Sequence, residues 1–167
     1  LLETLDKDSN NHSNVTLIYT NRSQYAKTTK CNTDSSNDCW NREHLWPRSL
    51  GVGDSDTFKS FSDLFNLRAS DASVNSDRSN KRFGSAANGT EHSEATDNFY
   101  NSTLWEPRDK MKGDIARSMF YMATRYEGDD SESDLEFNTI GDICTFLTWH
   151  LDDPVSQEEV ERNNKTF

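Results

Sequence analysis

The sequence predicts a single α+β domain that is mostly helical. Its 167 residues match the length of one domain and suffice to bury a hydrophobic core. Short strand patterns between polar loops occupy the first half, whereas the last third carries apolar residues at helical spacing. Aromatic residues make up 11% of the chain, which argues against disorder although only 32% of residues are hydrophobic. No apolar run approaches the roughly 20 residues that a membrane span needs.

The first half is predicted to contain short elements joined by polar segments. Residues 15–19 form a strand candidate, and residues 43–46 form a second strand or strand end. An extended segment at 63–68 precedes a short polar helix at 72–80. Residues 85–103 are rich in Ser, Asn and Gly, so we expect an exposed connection there.

The last third is predicted to form three helices. The first starts near Pro107 and ends at Gly128, and its apolar residues recur at spacings of three and four: Met111, Ile115, Met119, Met122 and Tyr126. In the second, at 140–151, we expect these residues to pack inward: Ile143, Phe146, Leu147 and either Trp149 or His150. Ser156 and Glu159 form an S-x-x-E capping box that starts the third.

Acidic residues are unevenly distributed. The formal net charge is -11, yet residues 127–161 alone hold twelve Asp and Glu and no Lys or Arg. The remainder holds seventeen acidic and eighteen basic residues, so it is nearly neutral. We interpret this acidic stretch as a solvated face, which leaves another face of the molecule able to contact a polyanion.

Three cysteines divide into a local pair and a single thiol. Cys31 and Cys39 lie eight residues apart in a polar stretch, so a disulfide between them is geometrically feasible. Cys144 lies in the apolar helical pattern and is predicted to be a buried thiol. The cysteine spacing matches no zinc site.

The segment Trp40-Asn-Arg-Glu-His-Leu-Trp-Pro47 carries the most chemical information. Glu43 offers a hard oxygen ligand directly beside His44, whose side chain titrates near neutral pH. Arg42 and Arg48 flank the pair, so a metal, an anion and a proton acceptor could meet here. The alternative is a solvated surface pair, which is commoner for an isolated Glu-His dipeptide. Because neighbouring strand residues face opposite ways, these two side chains can converge only at a strand end or a bulge.

A second polar segment, residues 73–84, is rich in amides and guanidiniums. Asn75 and Arg78 lie three apart and would share one face of the predicted helix. An Asn carbonyl oxygen is a neutral ligand for Mg²⁺ or Ca²⁺, and Arg78, Lys81 and Arg82 could hold phosphate oxygens. A solvated surface helix is the alternative. Together with the upstream Glu-His pair, the segment favours a metal site built from a strand and a helix.

Three sequence blocks carry a family resemblance. They are Trp40-Asn-Arg-Glu-His-Leu-Trp-Pro-Arg-Ser49, then Ser62-Asp-Leu-Phe-Asn-Leu-Arg68 with Ser73-Val-Asn-Ser-Asp-Arg-Ser-Asn80, and finally Lys112-Gly-Asp-Ile-Ala-Arg-Ser-Met-Phe-Tyr-Met122. A weaker fourth block lies between residues 149 and 163. In this order the blocks resemble the endonuclease I family of secreted or periplasmic non-specific nucleases, which are built on a ββα-metal finger.

The resemblance implies a fold and a location. It implies one nuclease domain over residues 1–167, with a motif core at 40–84 arranged as the ββα-metal finger and a helical part at 106–163. It also implies a secreted or periplasmic protein. The chain begins with Leu1 and shows no signal peptide, so we expect a mature or trimmed form. We expect a monomer that has nucleic acid as its partner and no membrane association.

The resemblance also implies an activity and assigns its main residues. His44 resembles the general base that activates water, for which a group poised near the operating pH is needed. Glu43 and Asn75 resemble the protein ligands of one divalent metal, Mg²⁺ with Ca²⁺ or Mn²⁺ as substitutes, which would neutralise charge on the phosphate. The implied reaction is metal-dependent, non-specific hydrolysis of phosphodiester bonds in DNA, with RNA as a further substrate, leaving 5′-phosphates.

Other polar residues also receive roles within the same pattern. Arg78 is predicted to join His44 as a catalytic residue. The predicted substrate-binding residues are Arg42, Arg68, Lys81, Arg82 and Asn80. Asp114 and Arg117, three apart in a helix, are interpreted as a structural ion pair. His92 is predicted to be a solvated loop residue.

Two positions depart from the family pattern. The family commonly has His where this chain has Phe65, and Pro where this chain has Ala69. Loss of an imidazole near the finger would weaken metal binding, so a catalytically weakened nucleic-acid-binding module on the same fold remains an alternative. Further alternatives are an acidic Ca²⁺-binding protein built on residues 127–161 and a metal-dependent phosphoesterase acting on a smaller substrate.

Overall fold

The N-terminal half contains two antiparallel strand pairs. The computed structural model describes residues 1–31, 39–129 and 132–166 of the chain. A first group of short elements comprises α1 (Leu2–Leu5), β1 (Asn14–Thr16) and β2 (Ser23–Tyr25). In this group, β1 pairs with β2. A second group comprises β3 (Trp40–His44), α2 (Lys59–Ser62), β4 (Leu67–Asp71) and α3 (Ala72–Arg78).

Strands β3 and β4 pair antiparallel in a regular register, and α3 follows β4 without a loop. Glu43 lies opposite Arg68, and His44 lies opposite Leu67. His44 is the last residue of β3, so the pair meets the expected condition that its side chains converge at a strand end. The ββα unit formed by β3, β4 and α3 has the arrangement that the family resemblance implies, and α3 confirms the helix predicted at 72–80.

The N-terminal strand is shorter than predicted. The strand predicted at 15–19 ends at Thr16, because the Leu17 carbonyl oxygen accepts a hydrogen bond from the Asn21 amide at 2.8 Å and closes a turn. Leu17 and Ile18 are nevertheless buried. These two residues are therefore apolar because they pack in the hydrophobic core, not because they extend the strand.

The strands of the ββα unit are offset from the predicted segments. The segment predicted to be extended at 63–68 becomes β4 only at its end, because Asp63 accepts hydrogen bonds from two following backbone amides at 2.9 and 3.1 Å and forms a turn. The strand predicted at 43–46 is β3, which starts and ends earlier.

A small four-stranded sheet occupies the segment between the ββα unit and the long helices. Its strands are β5 (Arg82–Phe83), β6 (Thr90–Glu91), β7 (Phe99–Tyr100) and β8 (Leu104–Glu106). They lie in the order β5-β8-β7-β6, and β5 pairs parallel with β8. The segment at 85–103 is mostly exposed, as predicted, but it forms strands β6 and β7 and is not only a connection. Ala95 and Asn98 are buried there. The side-chain amide of Asn98 donates a hydrogen bond to the Tyr19 carbonyl oxygen at 3.0 Å, so this buried polar group is paired within the protein.

His92 is also buried, with 5% of its surface exposed, so its prediction as a solvated residue is wrong. Its ring lies 5.5 Å from the Trp105 ring, and its Nε2 atom lies 3.1 Å from a carboxylate oxygen of Asp77. The imidazole therefore links the small sheet to α3.

The C-terminal part is helical, as predicted. Its elements are α4 (Asp109–Arg125), α5 (Phe137–Ile140), α6 (Ile143–Asp152) and α7 (Gln157–Thr166). The periodic apolar residues predicted in the first long helix are all buried: Met111, Ile115, Met119, Met122 and Tyr126. In the part of the chain that the structure describes, no helix is long and apolar enough to span a membrane.

Helix α6 packs on α4 through a narrower face than predicted. Phe146 and Trp149 are buried, but Ile143 and Leu147 are 46% and 48% exposed, so their predicted inward packing is wrong. Cys144 is also exposed, which contradicts the predicted buried thiol. Phe146 and Trp149 thus form the buried face of α6, and the opposite face of the helix is exposed to solvent.

Two local predictions are confirmed. The Ser156 hydroxyl oxygen accepts a hydrogen bond from the Glu159 amide at 3.1 Å and caps α7, although the Glu159 carboxylate turns to Arg117 instead of returning to the cap. Cys31 and Cys39 form a disulfide. The residues between these cysteines, 32–38, lie outside the described part of the chain.

Candidate active site

An open cleft of about 1230 Å³ lies beside the ββα unit, where β3 and α3 face the segment before α2. Its lining is mostly polar and cationic. The residues that contribute to it include Lys30, Asn41, Arg42, Glu43, His44, Arg48, Phe58, Phe61, Asn75 and Asn80. The structure thus brings the predicted base, His44, and both predicted metal ligands, Glu43 and Asn75, into one cleft. It places the predicted substrate-binding residues Arg42 and Asn80 there as well.

Glu43 is held from behind by two buried side chains. Its Oε1 atom accepts a hydrogen bond from the Tyr19 hydroxyl at 2.7 Å and lies 3.2 Å from Nη1 of Arg78. Burial raises the pKa of the Glu43 carboxyl from its ordinary value, whereas the Arg78 charge and the Tyr19 hydrogen bond act in the opposite direction. These two partners fix the carboxylate at the cleft wall and favour its charged form.

His44 has a defined tautomer. Its Nε2 atom lies 2.9 Å from the Phe61 carbonyl oxygen, which can only accept, so Nε2 carries the proton and Nδ1 keeps its lone pair. Within the described residues, Nδ1 has no hydrogen-bond partner. Burial lowers the pKa of His44 to about 4, and Arg42 and Arg48 act in the same direction. The imidazole is therefore neutral at neutral pH and can accept a proton at Nδ1.

Asn75 is oriented by its own amide hydrogens. Its Nδ2 atom donates to Oδ1 of Asn41 at 2.7 Å and to the Arg42 carbonyl oxygen at 3.2 Å. Because both donor positions are used at β3, the opposite end of the amide group, Oδ1, is left as an acceptor beside the cleft. The bond to Arg42 joins Asn75 to the residue that precedes Glu43 on β3, and both Glu43 and Asn75 line the cleft.

The donor set fits a hard divalent cation that keeps much of its own water. Within residues 1–31, 39–129 and 132–166, no group of three or more His, Cys, Asp or Glu side chains could enclose a metal. Glu43 and Asn75 instead offer one carboxylate and one neutral amide oxygen at an open cleft. Mg²⁺ is commonly held in this way, by one or two carboxylates with water and substrate phosphate.

Cations line the cleft on both sides of the Glu-His pair. Arg42 is exposed, and its guanidinium lies 5.2 Å from the centre of the Phe61 ring. Arg48 and Lys30 also line the cleft, although neither was predicted to bind substrate. Side chains of this kind attract phosphate groups, so the cleft is locally suited to a polyanion despite the acidic net charge.

Arg78 has a different position from the predicted one. It has no exposed surface, and its guanidinium donates to the carbonyl oxygens of His44 at 3.0 Å and Leu45 at 2.7 Å. It also lies over the Phe83 ring at 4.4 Å. Arg78 therefore supports the end of β3 from inside the protein and is not presented to a substrate in the cleft.

Three other predicted substrate-binding residues lie outside the cleft lining. Arg68 faces a second, smaller groove, where it pairs with Asp6 and Asp114 at 3.5 and 3.7 Å. The Lys81 ammonium lies 5.7 Å from the Tyr100 ring, and Arg82 donates to a backbone oxygen at 3.4 Å. Lys81 and Arg82 follow Asn80 closely in the sequence, but they lie outside the cleft lining because the chain enters β5 of the small sheet at Arg82.

The predicted ion pair of Asp114 and Arg117 is present, with 3.2 Å between Nη2 of Arg117 and Oδ1 of Asp114. Arg117 also binds the Glu159 carboxylate through two bonds of 2.6 Å, so it joins α4 to α7. Burial raises the pKa of the Asp114 carboxyl to about 6, with the nearby Glu159 charge acting in the same direction. This cluster lies in the second groove, away from the Glu-His pair.

Three residues that support the site were not singled out in the sequence. Tyr19 holds Glu43, Asn41 holds Asn75, and the Phe61 carbonyl oxygen holds His44. Asn41 could have been suspected, because it lies two residues before Glu43 on the same strand. The Phe61 carbonyl oxygen could not have been suspected, because every residue has a backbone carbonyl and the residue type gives no indication of its role.

The two departures from the family pattern lie away from the cleft. Phe65 lines the second groove, and its ring lies 4.4 Å from the Tyr121 ring. The Ala69 amide donates to the Asp6 carboxylate at 2.7 Å, a bond that proline could not make. Neither departure alters a side chain that lines the cleft with Glu43 and His44.

Comparison with known proteins shows the family of the chain. The family model of Endonuclease I matches residues 1–167. The extracellular ribonuclease of Bacillus subtilis (strain 168) is 42% identical over 172 residues, covering 97% of this chain and 57% of that protein. The extracellular ribonuclease of Bacillus amyloliquefaciens is 39% identical over 171 residues, with 97% and 57% covered. The chain thus spans a little more than half the length of these relatives. It belongs to the endonuclease I family.

Proposed function

We propose that this chain is a metal-dependent endonuclease that hydrolyses phosphodiester bonds of DNA and RNA without sequence preference. One observation carries the proposal: His44 is held as a neutral imidazole with its free nitrogen in a cationic cleft, directly beside the Glu43 carboxylate. Membership of the endonuclease I family supports the same reaction. The relatives named extracellular ribonuclease support RNA as a substrate.

His44 acts as the general base in this proposal. Its Nδ1 atom takes a proton from the attacking water, and the Phe61 carbonyl oxygen holds the Nε2 proton throughout, so the ring does not rotate away. A general base typically contributes a factor of about 10² to 10⁴ in rate. Burial lowers the pKa of His44 to about 4, so the imidazole is already deprotonated at neutral pH, but it is a weaker base than the group poised near the operating pH that the sequence led us to expect.

Glu43 and Asn75 would hold the divalent cation, Mg²⁺ with Ca²⁺ or Mn²⁺ as substitutes. When bound, this ion neutralises negative charge on the phosphate and on the departing 3′-oxygen. Tyr19 and Arg78 hold Glu43 in place and oppose the effect of burial on its pKa, and Asn41 keeps the Asn75 oxygen directed at the site. We infer that the products carry 5′-phosphates, as the family resemblance implies.

Arg42, Arg48 and Lys30 would bind the phosphates that flank the scissile bond. Phosphate contacts of this kind carry no sequence information, which supports non-specific cleavage. The open form of the cleft is consistent with a polymer that enters from the side. We also propose that the protein is secreted, since its relatives are named extracellular and the Cys31–Cys39 disulfide suits an oxidising compartment.

The test is digestion of supercoiled plasmid DNA and of structured RNA by the full chain with Mg²⁺, with and without EDTA. We expect cleavage that EDTA, Glu43→Gln and His44→Ala each abolish. A folded wild-type protein that binds DNA but leaves it uncut in Mg²⁺, Mn²⁺ and Ca²⁺ would refute the enzyme and favour the alternative of a nucleic-acid-binding module. The lengths of the products show whether cleavage is endonucleolytic. Analysis of the product ends shows whether the phosphate remains on the 5′ or the 3′ side.

A further inference from the structure

The acidic stretch at 127–161 contacts α2, a helix at the edge of the cleft. Oε1 of Glu132 accepts a hydrogen bond from the Lys59 amide at 2.6 Å. The Ser60 amide donates to Oε2 of the same carboxylate at 3.1 Å and lies 3.3 Å from Oε1. One acidic side chain thus binds the first two backbone amides of α2, from a position more than seventy residues later in the chain.

Helix α2 needs such a partner. It has four residues, and helices of this length are not stable in isolation. Its N-cap residue is Phe58, whose side chain offers no hydrogen-bond acceptor and makes no cap. The free amides at a helix start favour a negative charge, which the Glu132 carboxylate supplies from another part of the fold.

The other end of α2 is also fixed. Asp63 follows the helix, and its Oδ2 atom accepts hydrogen bonds from the hydroxyls of Tyr121 at 3.1 Å and Tyr126 at 2.8 Å. Glu132 and Asp63 therefore hold α2 from both sides. Between these two anchors lies Phe61, which is buried and supplies the carbonyl oxygen for His44.

Phe61 contacts His44 through its ring as well as its backbone. The two ring centres lie 5.0 Å apart, with 34° between the ring planes. A displacement of α2 would therefore move both the hydrogen-bond acceptor and the packing surface of the imidazole. Misplacement of a reacting group by about 1 Å can lower a rate by about 10².

We propose that Glu132 is a positioning residue for the general base: it holds α2 against the cleft, and α2 fixes the orientation of His44 through the Phe61 carbonyl oxygen. This inference rests on the proposed function of His44. It gives one member of the acidic stretch a role in the site, although that stretch as a whole was interpreted from its composition as a solvated face.

Lys59 provides a matched control. Its ammonium forms an ion pair with Asp129 at 3.1 Å, and the Lys59 side chain is 59% exposed. Lys59→Ala removes this ion pair but keeps the Lys59 amide and both backbone bonds to Glu132. The conservative variant Glu132→Gln keeps one carbonyl oxygen that can accept from the α2 amides, and it replaces the other carboxylate oxygen and its charge by an NH2 group.

The first measurement compares kcat and KM of the full chain on double-stranded DNA with Mg²⁺, below the melting temperature of each variant. We expect Glu132→Ala to lower kcat by about ten- to a hundredfold with KM changed by less than about twofold. We expect Glu132→Gln, which keeps one acceptor oxygen for α2, to recover part of kcat and Lys59→Ala to match the wild type. A wild-type kcat in Glu132→Ala overturns the proposal, and so does an equal loss in Lys59→Ala.

The second measurement does not depend on cleavage. Nitrogen-15 NMR of the His44 ring reports which nitrogen carries the proton. We expect one tautomer, protonated at Nε2, in the wild type and a mixture of tautomers in Glu132→Ala. An unchanged tautomer in Glu132→Ala overturns the positioning role. A changed tautomer in Glu132→Ala, together with a wild-type protein that cuts no nucleic acid, would support the positioning role and refute the proposed function.

Discussion

The side-chain amide of Asn75 donates to the side-chain oxygen of Asn41 at 2.7 Å and to the Arg42 carbonyl oxygen at 3.2 Å. These two bonds decide which end of the Asn75 side chain faces the cleft. They also join α3 to β3 at the position where a metal ligand is expected beside Glu43. Residues that orient a ligand in this way commonly matter almost as much as the ligand itself.

Asn41→Ala should weaken the metal site without removing a ligand. We expect the Mg²⁺ concentration for half-maximal activity to rise by about tenfold or more, because the Asn75 amide can then rotate. The measurement is cleavage rate against Mg²⁺ concentration. Asn138→Ala, at an exposed position of α5, is the control and should leave the Mg²⁺ dependence unchanged. Equal Mg²⁺ dependence in Asn41→Ala and wild type would contradict the orienting role.

Arg48 and Arg82 should differ in their effect on substrate binding. Arg48 lines the cleft, whereas Arg82 lies outside its lining and donates to the Gly141 carbonyl oxygen. We expect Arg48→Ala to raise KM for DNA by about three- to tenfold with little change in kcat, and to reduce the salt dependence of binding. Arg82→Ala should leave KM near the wild-type value. A larger effect of Arg82→Ala would mean that the substrate lies elsewhere.

Asp114 should make stability fall as the pH rises from about 4 to 6. Burial raises the pKa of this carboxyl from its ordinary value of 3.8 to about 6, because the charged form is poorly solvated beside Glu159. The folded protein therefore holds a proton that the unfolded chain releases earlier. This contribution to stability is complete below about pH 4 and is lost as the pH rises through about 6.

Urea unfolding of the wild type and Asp114→Asn across this pH range measures that effect. The free energy of unfolding of the wild type should fall relative to the variant between about pH 4 and 6, and the difference should stay constant at higher pH. Asp109→Asn removes a carboxyl whose side chain is 94% exposed but keeps Asp114, so its free energy of unfolding should fall between about pH 4 and 6 as that of the wild type does. An increase in the free energy of unfolding of the wild type relative to Asp114→Asn over this pH interval would contradict the predicted direction of the effect.

Gly113 should not tolerate a larger residue. A Cβ atom at this position of α4 would lie 2.0 Å from the Asp153 backbone oxygen, at the point where the Gly113 amide donates to the Asp153 carboxylate. We expect Gly113→Ala to lower the free energy of unfolding by about 1–3 kcal/mol or more, because α4 and the end of α6 must separate. Lys110→Ala, at an exposed site of the same helix, should change it by less than about 0.5 kcal/mol.

The ββα unit could be predicted from the sequence. A Glu-His pair and a later Asn were ambiguous by themselves, and the resemblance of the surrounding blocks to the endonuclease I family implied the ββα arrangement. What the sequence could not show is which arginines face the cleft. Arg78 shares a helix with Asn75, but it fills the space under the end of β3, a role that depends on carbonyl oxygens with no side-chain signal.

The errors in the helical and central parts have a common physical cause. Helical spacing shows that α6 is amphipathic but not how wide its contact face is, and the packing against α4 buries Phe146 and Trp149 while leaving Ile143 and Leu147 exposed. Likewise, Ser, Asn and Gly favour turns, yet the segment at 85–103 uses those turns to form a small sheet. Tertiary contacts decided both cases.

The most direct test of the account is chemical rescue of His44→Gly by imidazole. Cleavage of DNA would be measured at fixed Mg²⁺ with increasing imidazole, beside the wild type. If His44 is the general base, the variant should lose about 10² to 10⁴ of the rate, and imidazole should restore part of it in a concentration-dependent manner. Cleavage by His44→Gly at the wild-type rate would contradict the central claim.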